Sequence, residues 1–292
     1  MPSGIIIIDK PTDWTSMDVC GKLRRLMGER RVGHAGTLDP MATGVLPVFV
    51  GRATRAVEFA EQGAKEYLAG LRLGLVTDTQ DTTGHPLSQS DSIPGRAVIE
   101  AALDQFRGEI LQVPPMYSAL KINGQKLCNL ARKGKTVERP PRPITIYELE
   151  LGEQLAENEY LLRVLCSKGT YVRTLCHDLG QALGCGGCMS SLRRTMAAGF
   201  HLSHSVTLET VIQAAEEGRA AELLLPVEEY FRDYPAVTIT GESERRARNG
   251  NEFYARAPEG TCRVFSAEGE FLLLGRAEQG RIRTIKSFFE VK

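Results

Sequence analysis

The stretch Arg31–Arg55, RVGHAGTLDPMATGVLPVFVGRATR, gathers special backbone residues around a single carboxylate. Gly33, Gly36 and Gly44 supply loop positions where a side chain would obstruct. Pro40 biases Asp39 toward an extended backbone and stops a helix from running through. The outcome is a shaped loop presenting Asp39. Val45–Val50 follows as an apolar run of strand character, broken at Pro47, so the loop leads into the sheet of a folded core and the carboxylate is held rigidly. Loop aspartates also cap helices and make turns, so residue types alone leave Asp39 either a structural group or a reactive one.

Composition narrows the class of protein. At 292 residues the chain is long enough for two domains, and a chain of this size buries about 75% of its unfolded surface without needing staples. No run of 18 apolar residues occurs and the N-terminus enters a strand directly, so neither a membrane span nor a signal peptide is expected, and the cytoplasm is the expected compartment. Thirty-six basic residues balance 36 acidic ones, which argues against a protein that coats nucleic acid indiscriminately. The distribution is uneven. Residues 121–142 carry Lys121, Lys126, Arg132, Lys133, Lys135, Arg139 and Arg142 against Glu138 alone, and residues 22–31 carry five basic residues against Glu29. Each run is either a phosphate-facing patch or a solvated face. Seven cysteines, an odd number, suit a reducing compartment. Cys185-Gly-Gly-Cys188 lacks a second paired motif to complete four zinc ligands, with only Cys176 and His177 near, so it reads as two small residues in a turn and no metal is expected.

Along the chain, Ile5–Ile8 reads as a buried strand with Lys10 emerging at its end, where sites are built. Thr15-Ser16 caps a helix with Met17, Cys20, Leu23 and Met27 on one side and Gly28 as its stop. Tyr67–Gly74 alternates Tyr67, Ala69, Leu71 and Leu73 on one face of a strand. Thr77–Gly84 is a polar loop whose Asp78 and Asp81 orient basic residues or cap backbone. Ala97–Arg107 is an amphipathic helix with Val98, Ala102, Leu103 and Phe106 inward. Val113–Arg142 is proline-punctuated, with a hairpin turn at Asn123-Gly124 and a short helical piece at Leu127–Ala131. Ile144–Leu151 and Tyr160–Cys166 pair as strands. Thr170 opens a helix bearing Tyr171 and Arg173 in its first turn, and because the macrodipole disfavours a cation there, Arg173 needs an anionic partner. Cys188–Arg194 is a strand with Leu192 and Arg194 on one face, Leu208–Glu217 a further helix. From Tyr234 onward short β segments (Val237–Ile239, Arg263–Phe265, Phe271–Leu274, Arg281–Ile285) mark a small second domain.

The run GHAGTLDPMATGVLP at 33–47 resembles the signature of the TruB family of tRNA pseudouridine synthases, which act on uridine 55 of the T arm. Four further segments match in order: GIIIIDKPTDWTS at 4–16, KEYLAGLRLGLVTDTQDTTG at 65–84, VPPMYSALKINGQKL at 113–127 and SKGTYVRTLCHDLG at 167–180. The resemblance implies an α+β pseudouridine-synthase fold, a mixed and largely antiparallel central sheet flanked by helices. It places a catalytic domain at 1–233, with 113–143 as an RNA-clamping thumb, and a degenerate PUA-like RNA-binding domain at 234–292. That last likeness rests on position and on the Arg245, Arg246, Arg248, Asn249, Gly250 run. Cys128 stands where the family pattern has an aromatic residue.

Residue by residue, the resemblance makes Asp39 the catalytic carboxylate, Arg173 its partner, and Tyr67 the ring that stacks on the base and a candidate general base. Tyr171 and Leu192 line the pocket, His34 enters the T loop where the target nucleotide had been, and Lys10 touches substrate or supports the loop. Without the resemblance, His34 reads as a turn residue, Tyr171 as a packing ring and Leu192 as core. Lys133, Lys135 and Arg132 are the expected RNA-backbone contacts. The reaction breaks the bond from uracil N1 to ribose C1′ and rejoins the base through C5 without net redox change, so no cofactor is expected. The enzyme must hold a flipped base, at a cost of a few kcal/mol that aromatic stacking offsets by about 1 to 3 kcal/mol. Attack at C1′, addition to C6 and a glycal route all remain open for Asp39. Two other classes compete: an RNA-binding protein that remodels tRNA without turnover, and a uracil glycosylase, which also uses an aspartate but needs a water beside it. The partner is the T stem-loop of tRNA; no obligate protein partner is expected, and the chain reads as a monomer.

Overall fold

The computed structural model describes residues 2–122 and 124–290. In chain order the elements are β1 (Gly4–Lys10), α1 (Ser16–Met27), β2 (Val32–His34), β3 (Thr43–Val50), α2 (Val57–Ala60), β4 (Lys65–Leu73), β5 (Leu75–Thr77), β6 (Pro86–Gln89) and α3 (Arg96–Leu103). Next come β7 (Gly108–Gln112), β8 (Lys121–Ile122), β9 (Gln125–Lys126), α4 (Leu127–Ala131), β10 (Arg142–Ala156), β11 (Glu159–Cys166), α5 (Val172–Ala182), β12 (Gly187–Ala197), β13 (Phe200–His201) and α6 (Leu208–Glu216). The last part holds β14 (Ala236–Thr238), α7 (Gly241–Arg248), β15 (Phe253–Tyr254), β16 (Gly260–Phe265), β17 (Phe271–Glu278) and β18 (Arg281–Ser287).

One sheet of nine strands runs β1-β3-β12-β4-β11-β10-β7, with β2 on β3 and β13 on β12. β3 and β12 run parallel, while the flanking pairs β1 with β3 and β12 with β4 are antiparallel, giving the mixed sheet that the family resemblance implies. Ile5 to Ile8 are at most 2% exposed because both faces of β1 are covered. Ile6 and Ile8 pack under α1 and α6, and Ile5 and Ile7 pack with Phe231, Phe271 and Phe288. Full burial of such a side chain is worth about 1.5–3 kcal/mol, which is why the run is apolar without alternation.

Several sequence expectations change. β3 is not broken at Pro47, which pairs in register with Ile7. Its carbonyl accepts from Ala35 N–H at 3.0 Å; in an extended strand the N and O of one residue point the same way, so the missing donor faces the end of short β2, where little pairing is lost. Met17 is 54% exposed; α1 instead buries Val19 with Cys20, Leu23 and Met27, behind a capping box of Thr15 and Asp18 and before a left-handed Gly28. Val98 faces solvent and Ile99 packs inward. Thr170 bonds back to Ser167 O, leaving Tyr171 as the N-cap of α5. In the thumb, β8 and β9 pair through Lys121–Lys126 and Ile122–Gln125; of the expected turn pair, Gly124 has φ +79° and Asn123 lies outside the described residues. The terminal β-rich unit is a five-stranded sheet, β14-β16-β17-β18-β15, with a helix the β reading missed. α7 carries the Arg run, tied internally by Arg245–Glu242 and Arg248–Glu244 pairs. Aromatic rings join this unit to the preceding chain, Phe231 lying 5.6 Å from Phe288 and 6.2 Å from Phe271.

Candidate active site

The Asp39 loop leaves β2 and enters β3, and it is clamped on both sides of the carboxylate. Before it, Leu38 N–H donates to Ser16 Oγ at 2.9 Å. After it, Pro40 O accepts from Asp13 N–H at 2.9 Å and from Lys10 Nζ at 3.1 Å. Gly44 has φ +99°, and a Cβ there would meet Arg194 O at 2.2 Å, so the chain turns into β3 only with glycine.

Arg173, second residue of α5 and 5% exposed, grips Asp39 with two nitrogens. Nε lies 3.0 Å from Oδ2 and Nη2 donates to Oδ1 at 3.3 Å. The fork is itself fixed: Nη2 donates to Tyr117 O at 2.9 Å and Nη1 to Thr79 O at 3.1 Å, and Nη1 lies 3.5 Å from Asp81 Oδ2. Arg173 therefore ties Asp39 to the polar 77–84 loop and to the base of the thumb. Asp81 is buried and accepts from Thr83 N–H at 3.0 Å and Thr79 Oγ1 at 2.8 Å. Burial pushes the Asp39 carboxyl above its ordinary range, Arg173 opposes that rise and Asp81 adds to it. Desolvation thus outweighs the pairing with Arg173.

The two residues sit in a cleft of about 620 Å³ whose walls include Tyr67, Ser118, Tyr171, Leu192 and Arg194. Tyr67 lies in β4 opposite Arg194 and next to Leu192's strand, β12. Tyr171 is set by Gln112, whose side chain accepts from Tyr171 N–H at 2.8 Å and donates to Tyr171 O at 3.1 Å. Five of the residues singled out in the sequence, Asp39, Arg173, Tyr67, Tyr171 and Leu192, therefore meet.

Two do not reach the cleft wall. Lys10 is wholly buried, and its Nζ donates to the carbonyls of Pro11 and Trp14, both at 2.7 Å, as well as to Pro40. It supports the loop, the second of the two roles considered for it, because β1 delivers its side chain beneath Asp39. His34 is paired with Val48 in the sheet, its Nδ1 buried without a hydrogen-bond partner among the described residues and its basicity lowered by burial. Arg132, Lys133 and Lys135 are exposed on the thumb after α4. Asp13, Ser16, Gln112 and Arg194 were missed as site residues, since each acts through partners remote in sequence. Among the described residues no cluster of three or more His, Cys, Asp or Glu side chains could hold a metal ion, and Cys185 and Cys188 are buried thiols.

Residues 24–172 match the TruB family pseudouridylate synthase N-terminal domain, and residues 173–232 match the tRNA pseudouridylate synthase B C-terminal domain. The chain belongs to the TruB family. Its activity is accordingly that of a pseudouridine synthase, an isomerase. The two matched regions meet between Val172 and Arg173, yet β12, from the second, lies between β3 and β4 of the first, so the site needs both. Among TruB relatives, the tRNA pseudouridine synthase B of Stutzerimonas stutzeri is 45% identical over 288 residues, 96% of this chain and 93% of its own length. That of Syntrophotalea carbinolica is 48% identical over 251 residues, 85% and 81%. A chain of the Cbf5-Nop10-Gar1 complex superposes with a TM-score of 0.74 at 27% identity, covering 98% of this chain and 85% of that one. A chain of an H/ACA RNP bound to a substrate RNA containing 2′-deoxyuridine gives 0.73 at 25% identity, with 98% and 85% covered.

Proposed function

We propose that this TruB-family protein isomerises uridine 55 in the T-arm loop of tRNA, with Asp39 as the carboxylate that acts in glycosidic bond cleavage. The observation that carries the reading is the two-pronged Arg173–Asp39 pair at 3.0 and 3.3 Å, set in a cleft walled by Tyr67, Tyr171 and Leu192. Attack at C1′, addition to C6 and assistance to a glycal all require an oriented carboxylate beside a flipped base, shielded from bulk water. Asp39 is oriented by Arg173 from one side and by the clamped Leu38 and Pro40 from the other. Tyr67 stacks on the base, and Tyr171 and Leu192 close the pocket around it. No cofactor enters the scheme.

Substrate choice follows the same logic. The S. stutzeri and S. carbinolica relatives are named for tRNA, and the exposed Arg132, Lys133 and Lys135 lie on a thumb whose base, at Tyr117, touches the catalytic arginine. The thumb clamps the T stem-loop, and the unit from residue 234 onward serves as a PUA-like second RNA contact. The protein acts in the cytoplasm as a monomer, without an obligate partner.

The test uses tRNA carrying tritium at uracil C5. Isomerisation releases that hydrogen to water, whereas simple binding and glycosylase action do not. The wild type should release one equivalent per tRNA, and none from tRNA with cytidine at position 55. Asp39→Asn, nearly isosteric, should bind tRNA within a few-fold of the wild type and release nothing; appreciable release by that variant sinks the assignment of Asp39.

A further inference from the structure

Arg194 is wholly buried, and among the described residues no carboxylate pairs with it. Nε donates to Val45 O at 2.7 Å and Nη2 to Gly36 O at 3.0 Å, which fixes the guanidinium plane. Nη1 has no hydrogen-bond partner among the described residues. A buried cation left partly unsatisfied is costly, and the backbone is shaped around this one: a Cβ at Gly36 would lie 3.3 Å from Nη1. On β12 Arg194 sits directly opposite Tyr67 of β4, so the two side chains share one sheet face with Cβ atoms about 4.5–5.5 Å apart. Both line the Asp39 cleft.

We propose that Arg194 is a positioning residue for the isomerisation that acts through Tyr67, its free Nη1 holding the phenol oxygen in place and stabilising that oxygen while it carries negative charge. The proposal rests on the function given above. Conversion of uridine to pseudouridine removes one proton from C5 and adds one to N1, with no electrons gained or lost. A Tyr67 hydroxyl that gives its proton to N1 and then takes the one from C5 returns to its starting state, passing through the phenolate between the two transfers. Burial opposes ionisation of Tyr67, the charge of Arg194 and a side-chain contact between the two favour it, and Cys166 and Asp39 add smaller opposition. Two other cations of the cleft are engaged elsewhere: Lys65 Nζ donates to Glu61 O and Gly63 O, and Arg173 holds Asp39.

The experiment is a double-mutant cycle read by single-turnover tritium release, with tRNA affinity measured in parallel. Arg194→Gln keeps a donor for the carbonyls but removes the charge. It should slow the wild type by about 10²-fold, the scale set by removal of a single preorganised donor, while tRNA affinity stays within about threefold. In a Tyr67→Phe background the same change should slow release by less than about threefold, because the oxygen it serves is gone. Equal slowing in both backgrounds, or none in the wild type, overturns the proposal. If the glutamine variant does not fold, Arg194→Lys takes its place. It keeps the buried charge, but one ammonium cannot hold the Val45 and Gly36 carbonyls and still offer a nitrogen to the phenol. It should therefore slow the wild type by about tenfold or more and the Tyr67→Phe background by less than about threefold, and equal slowing in both, or none, overturns the proposal. A wild type that releases no tritium from tRNA would remove the proposed function itself, whereas additive losses with an active wild type remove only the role of Arg194.

Discussion

Replacing Lys10 with Met separates loop support from substrate contact. The side chain keeps its length, but three carbonyl oxygens, those of Pro11, Trp14 and Pro40, lose an ammonium donor. A hydrogen bond to a charged group is worth about 1.5–3 kcal/mol. Relief of the buried charge returns part of that sum, so a net loss of about 3 kcal/mol is the working figure. With an unfolding entropy of about 2.1 cal/mol/K per residue over 292 residues, about 0.6 kcal/mol/K, the midpoint should drop by about 5 °C. Pro40 follows Asp39, so release of its carbonyl lets the carboxylate drift, and a displacement of about 1 Å costs on the order of 10²-fold in rate. Thermal denaturation, tRNA affinity and single-turnover tritium release together decide the matter. Lost tRNA affinity with an unchanged midpoint would mean that Lys10 contacts RNA; an unchanged rate and midpoint would refute the supporting role. Burial lowers the Lys10 pKa from 10.5 to about 8, against the pull of Asp13 and Asp39. The unfolded chain therefore binds the extra proton between those values, so this group makes the wild type more stable as pH rises from about 8 to 10.5. Lys10→Met should lack that increment.

Arg173→Lys should cut turnover by at least about 10²-fold with tRNA affinity nearly unchanged, since an ammonium cannot grip both oxygens of Asp39 while holding the carbonyls of Thr79 and Tyr117; near wild-type single-turnover rates would show that the fork is not needed. Burial raises the Asp39 pKa, and in the proposed function only the ionised form acts, so the acid limb of the rate profile should have its midpoint above the ordinary 3.8, and Asp81→Asn, which removes a like charge, should move that midpoint down; a shift upward contradicts the electrostatics. Lys133→Ala with Lys135→Ala should lower the slope of log affinity against log salt by about one unit for each phosphate that is no longer neutralised and leave stability within about 0.5 kcal/mol; an unchanged slope means that phosphates are held elsewhere on the protein.

What the sequence determined by itself is local. The glycines and proline around Asp39, the apolar run at Ile5–Ile8, the alternation from Tyr67 to Leu73, and the pairing of the segments now seen as β10 and β11 are written in backbone preference and hydrophobic period, which act between neighbours along the chain. The need of Arg173 for an anion was legible too, because a cation at a helix start is unfavourable wherever that helix goes. The tertiary structure decided everything that depends on which strand lies beside which. Lys10 reads as an exposed strand end until β1 is seen to deliver it under the Asp39 loop. Pro47 reads as a break until the edge it disables proves to face the end of a three-residue strand. Arg194 looks like one more basic residue in an alternating segment. Only the insertion of β12 between β3 and β4 buries its guanidinium, sets it opposite Tyr67 and leaves one nitrogen unpaired among the described residues, because partners in a sheet are chosen by topology over separations of more than 100 residues, where sequence periodicity carries no information.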